Sequence, residues 1–148
     1  MSKFKPQPPI IHIPSFTEYK LSTGEFRLEL LELELSRPFG MLDEWYYFTD
    51  TEGWGKILWD LTFNSSLYKA DRFDCENFAL KAMSVCAERY GLNTFGVVIG
   101  DTPQGRHGFN IFFTGKKFLL WEPNDGYPQA GMPFKIGDFG YIPDMVLI

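Results

Sequence analysis

The sequence predicts an α+β fold, a central helix packed on an antiparallel β-sheet, in one domain over residues 1–148. Three observations predict it. A well-punctuated helical stretch runs from about Asp74 to Tyr90, strand-like runs gather after it, and no strand–helix alternation of the kind that builds a parallel sheet is visible. With 148 residues, 45% of them hydrophobic, the chain can bury a core without disulfide or metal staples. An aromatic content of 18%, led by 15 Phe, argues against disorder and for a thick core or an aromatic-lined cleft.

The elements follow in chain order. Residues 1–16 carry Pro6, Pro8, Pro9 and Pro14, which exclude a helix. They read as an extended arm lying on its own domain, with a ligand for a partner domain as the alternative. Between Glu25 and Leu35 the pattern Phe26, Leu28, Leu30, then Leu31, Leu33, Leu35 has a period of two with one slip. It predicts a strand with a bulge, although a helix rich in Leu and Glu also fits. Aromatics crowd between Met41 and Tyr68, with a short helix near Lys56–Thr62. The long helix opens at a cap, Asp71 or Asp74, and stops at Gly91, a residue suited to the left-handed turn that ends helices. Its Cys75, Ala79, Ala82 and Cys86 recur at spacings of four, three and four, a stripe of small side chains that permits close packing on a sheet. Thr94–Ile99, His107–Phe113 and Lys117–Trp121 read as strands, with shorter ones around Phe134–Ile136 and Met145–Ile148.

Charge and cysteine usage exclude several classes. Fourteen Lys and Arg against 19 Asp and Glu leave a net charge of −5, so a broad basic surface for nucleic acid is not expected. No run of about 18 apolar residues occurs, and the opening MSKFKPQPPI lacks the apolar core of a secretory signal, so a soluble, cytoplasmic protein with no membrane partner is expected. Cys75 and Cys86 on one helix lie about 16 Å apart at 1.5 Å per residue. A disulfide needs Cα atoms within about 7 Å. With His12 and His107 the only histidines, a four-ligand Cys/His zinc site cannot be assembled. The segment Gly100–His107, GDTPQGRH, has the outline of a phosphate loop but lacks its Lys and Ser or Thr.

Chemistry points to Cys75. A cysteine just past a helix cap meets outward-facing N–H groups and the positive end of the helix dipole, which favour its thiolate. Cys86, three turns further in, is expected to be an inert core thiol. His107 opens one strand and Glu122 closes the next. With a two-residue turn at Thr114-Gly115 they face each other directly. A four-residue loop from Thr114 to Lys117 moves Asn124 opposite His107 and leaves Glu122 one diagonal away on the same face. An acid on one imidazole nitrogen fixes the tautomer and leaves the other nitrogen to take a proton from a thiol.

The blocks Asp74-Cys75-Glu76-Asn77-Phe78-Ala79, Gly105-Arg106-His107-Gly108-Phe109-Asn110 and Trp121-Glu122-Pro123-Asn124 resemble papain-fold enzymes of the transglutaminase-like group. Their wording is most similar to the cysteine-protease domain of the fairy-ring mushroom agglutinin. The match covers roughly residues 54 to 126. The resemblance implies a papain-like, transglutaminase-like fold and cleavage of a peptide or isopeptide bond in a peptide or protein substrate through an acyl-enzyme. In it Cys75 is the nucleophile, His107 the base and later acid, and Glu122 the orienting group, with Asn124 in reserve. An oxyanion donor upstream of the nucleophile is also implied. Tyr68, seven residues ahead of Cys75, is the candidate, preferred to Trp59. The agglutinin domain further implies calcium, for which Asp71, Asp74, Glu76, Asn124 and Asp125 offer oxygen ligands without a loop spacing that fixes a geometry. An amidase or acyl-transferase would use the same three residues. A papain-fold binding or assembly module without turnover is the reading from another class, drawn from the Pro-rich arm and the abundant aromatics.

Overall fold

The computed structural model describes residues 12–148. It is a mixed α+β fold with antiparallel sheets. The described elements are β1 (Tyr19–Ser22), α1 (Thr23–Leu31), β2 (Trp45–Phe48), α2 (Thr51–Ile57), α3 (Cys75–Tyr90), β3 (Phe95–Thr102), β4 (Gly105–Phe113), β5 (Phe118–Trp121) and β6 (Ile142–Leu147). Short 3-10 turns follow α2 at Leu58–Leu61 and occur at Ser65–Leu67 and Asp138–Gly140. Strands β5-β4-β3-β6 form one antiparallel sheet in that order, and β1 pairs with β2. Among the described residues no helix is long and apolar enough to cross a membrane.

Period-two patterning in β4 explains how the sheet is covered on both faces. Phe109, Ile111 and Phe113 enter one core with Phe26, Leu30 and Tyr46 from α1 and β2. Phe112 enters the other with Trp54 and Ile57 of α2 and Ala82 and Cys86 of α3. The small stripe of α3 works as its spacing predicts, since Ala79, Ala82 and Cys86 are fully buried. The buried Asn110 amide donates to the carbonyls of Ala79 in α3 and Gly96 in β3, both at 2.9 Å, and so ties helix to sheet.

Residues 25–35 do not form the expected strand. Ser22 caps a helix there, its hydroxyl accepting from the Glu25 N–H while the Glu25 carboxylate accepts from the Ser22 N–H, a reciprocal capping box. Only Phe26 and Leu30 of α1 are fully buried, at the i, i+4 spacing of a helix face, and Leu28 and Leu31 remain exposed. The short helix expected near Lys56–Thr62 begins earlier, at Thr51, where the Asp50 side chain accepts from the Gly53 N–H. Phe134–Ile136 contributes a single bridge, Phe134 with Leu120, and the last strand begins at Ile142, ahead of the expected Met145. The expected arm lies outside the described residues up to position 11. Within them, the Ser15 carbonyl accepts from Lys56 of α2, and the Phe16 ring meets the Tyr90 ring of α3 edge-on at 6.4 Å.

Candidate active site

The nucleophile candidate is placed by the start of α3. Asp74 is the N-cap and Cys75 the first helical residue. The Asp74 N–H donates to the Asn77 side-chain oxygen, and Gly91 ends the helix in the left-handed region at φ 67°. What brings this terminus against the sheet is Gly108. A Cβ at that position would lie 2.9 Å from Glu76 Cα and 3.0 Å from Glu76 N, so the helix start and β4 meet at a separation only glycine permits. Cys75, Glu76, Ile99, Arg106, His107 and Gly108 line one open cleft of about 320 Å³.

The β4–β5 hairpin places the other two groups. Phe113 pairs with Phe118, so the connection is the four-residue loop Thr114–Lys117, not the two-residue turn. The register Asn110 with Trp121 continues one step to set Glu122 across from Phe109, diagonal to His107. That diagonal closes to 2.7 Å between His107 Nε2 and Glu122 Oε2, with both side chains buried. Glu122 also accepts from the Asn124 N–H through Oε1 at 3.1 Å and from the Tyr141 hydroxyl through Oε2 at 3.0 Å. Glu122, and not Asn124, therefore meets the imidazole. The Asn124 side chain instead accepts from the Gly126 N–H in the following turn.

Electrostatics follow from this packing. Burial is the largest influence on His107 and opposes its charge, but hydrogen bonding with Cys75 and with Glu122 outweighs it and pushes the imidazole pKa up to about 9. An unfolded histidine titrates near 6.5, so the folded value is raised. The stabilisation is then complete below about pH 6.5 and lost as pH climbs through 9. The thermal midpoint is expected to fall across this window, and a His107→Gln variant should flatten the fall. An equally steep profile in the variant would refute the linkage. Beside it, the Cys75 thiol donates to Glu76 Oε2 at 3.3 Å. Glu76 is held below the usual carboxylate range by its own backbone N–H at the helix start and by Asp74. Asp74 is raised in turn, chiefly by its hydrogen bond with Glu76. Burial drives the Cys86 thiol far above its ordinary value, as expected of a core cysteine.

Aromatic rings wall the imidazole. Tyr127 lies 4.6 Å away and tilted, Phe109 stacks at 5.8 Å, and Tyr141 meets it edge-on at 5.9 Å. The sequence reading missed Tyr127 and Tyr141. Both lie in the irregular stretch after Glu122, where no periodicity signals a direction. Of the oxyanion candidates, Trp59 spends its indole N–H on the Lys56 carbonyl, while the Tyr68 side chain is half exposed. Among the described residues no hydrogen bond joins Tyr68 to Cys75 or His107. Of the oxygen donors considered for calcium, Asp125 accepts from the Ser65 N–H and Asn124 from the Gly126 N–H, while Asp74 and Glu76 pair with each other. Among the described residues no group of three or more His, Cys, Asp or Glu side chains is arranged to hold a metal ion.

The mixed fold with antiparallel sheets is shared with solved structures. One is titled "PSL1a-E64 complex", similar with a TM-score of 0.64 at 20% identity over 87% of this chain. The present chain spans 51% of that one, about half its length. No protein-family model and no curated protein matches the sequence.

Proposed function

We propose that the chain is a papain-like, transglutaminase-like cysteine hydrolase that cleaves an amide bond in a peptide or protein. The observation that carries this reading is the buried His107–Glu122 pair, its imidazole raised to about 9, sharing a cleft with a thiol at the start of α3. Thiolate sulfur is the attacking form in cysteine acyl transfer, and an imidazolium beside it supplies the counter-charge. The shared fold with a complex of E64, a cysteine-protease inhibitor, supports the same reading.

In the proposed reaction the Cys75 thiolate bonds to the substrate carbonyl carbon, and the carbonyl π pair moves to oxygen. The Cys75 backbone N–H, at the first helical position where no intrahelical acceptor exists, is the donor for that oxyanion. Collapse of the intermediate breaks the C–N bond as imidazolium gives its proton to the leaving amine. The imidazole then takes a proton from water as the oxygen attacks the thioester, releasing acid and thiol. An amine in place of water would make the same site an acyl-transferase.

Labelling with iodoacetamide or an E64-type epoxide tests the reading. Modification is expected at Cys75 alone in the folded protein and lost in Cys75→Ala, with Cys86 untouched. Equal labelling of both cysteines, or of neither, would favour the inactive binding module.

A further inference from the structure

We propose that Tyr141 is a positioning residue of this site: its hydroxyl shares a Glu122 oxygen with His107 and sets how much of that carboxylate's charge the imidazole feels. The catalytic consequence rests on the hydrolase reading; the coupling between the two side chains does not.

Tyr141 sits between the turn Asp138–Gly140 and β6, fully buried. Its ring is fixed edge-on against Phe109 at 4.9 Å and Phe134 at 5.0 Å, so the hydroxyl has little freedom to wander. Two acceptors face it, Glu122 Oε2 at 3.0 Å and Gln129 Oε1 at 3.4 Å. A hydroxyl has one proton to give, and the nearer, charged oxygen takes it.

Glu122 has no exposed surface, so its donors replace water entirely. Oε2 receives both His107 and Tyr141, while Oε1 receives the Asn124 N–H. Charge drawn towards the phenol is charge withheld from the imidazole. The other groups facing His107 are Cys75 and Glu76 from the start of α3 and the Tyr127 phenol from the loop after Glu122. None of these is hydrogen-bonded to Oε2 among the described contacts, which leaves Tyr141 as the competitor. Burial and the Glu122 charge hold the Tyr141 phenol neutral well above the normal tyrosine range, so it remains a donor throughout the working pH.

The test follows the His107 ring by NMR across pH, assignable because the chain has only two histidines. Tyr141→Phe keeps the ring and removes the competing donor. The His107 pKa is expected to rise by about half a unit to one unit, the share of a charge-assisted hydrogen bond returned to the imidazole. Site-specific 3-fluorotyrosine at position 141, a stronger donor of the same shape, should move it down. Shifts of opposite sign cannot come from packing alone. An unchanged value in both, or a fall in Tyr141→Phe, would overturn the proposal. If Tyr141→Phe does not fold, the fluorotyrosine protein alone decides, by a fall or its absence. The pH profile of Cys75 alkylation is read on the same samples. A wild-type protein whose Cys75 resists alkylation would end the hydrolase reading while leaving the NMR result to judge Tyr141.

Discussion

Glu122→Gln is expected to slow alkylation of Cys75 and any turnover by about 10³–10⁴-fold while leaving the chain folded, the scale seen when an orienting acid becomes its amide. The amide preserves volume in a fully buried position and can still accept from the Asn124 N–H. It cannot supply a charge. Where carboxylate oxygen now lies 2.7 Å from His107 Nε2, the variant presents either a neutral carbonyl or an NH2 group that repels a donor nitrogen. In both cases the imidazolium loses its buried counter-charge, its pKa falls from about 9, and the sulfur beside it loses a charged neighbour. Rates measured at pH 6 to 7, with circular dichroism to verify folding, decide the matter. A folded Glu122→Gln protein alkylated at the wild-type rate would refute the role given to this acid.

Gly108→Ala is the second large effect, and it acts without removing a reacting group. The added carbon would sit 2.9 Å from Glu76 Cα, against backbone that has no flexible end to yield. The helix start must back away from β4. A loss of about 1–3 kcal/mol in stability is expected for such overpacking, and a loss of about 10²-fold in Cys75 reactivity for a misplacement near 1 Å. Gly55→Ala is the matched control, because a Cβ there meets no atom within 4 Å. If thermal midpoint and alkylation rate respond alike in the two variants, the close approach at Gly108 is not what sets the site.

The parts of the fold legible in the sequence are those with redundant signals. Helix α3 carries a cap and a stop glycine that bound it and a small-residue stripe that gives its packed face, and these agree with one another. The hairpin was legible in kind: strand spacing put His107 and Glu122 on one face under either turn, and the longer loop is the one present. The α1 segment fits a strand as well as a helix in sequence because its leucines also obey a period of two, and the helix is the form present. The deciding feature is a local one, the Ser22–Glu25 capping box. Gly108 stands directly after His107, yet its function depends on where a distant helix lands, which no spacing encodes. Tyr141 lies 19 residues beyond Glu122, and its direction depends on a glycine-containing turn with Phe139 at φ 56°. Periodicity is silent on such a path.

The imidazole and its acid are fifteen positions apart on a single hairpin, whereas the thiol comes from a separate helix. The two halves are thus held to one another only by packing. A small shift of that helix against the sheet would change the distance from sulfur to imidazole while leaving the imidazole–carboxylate contact as it is.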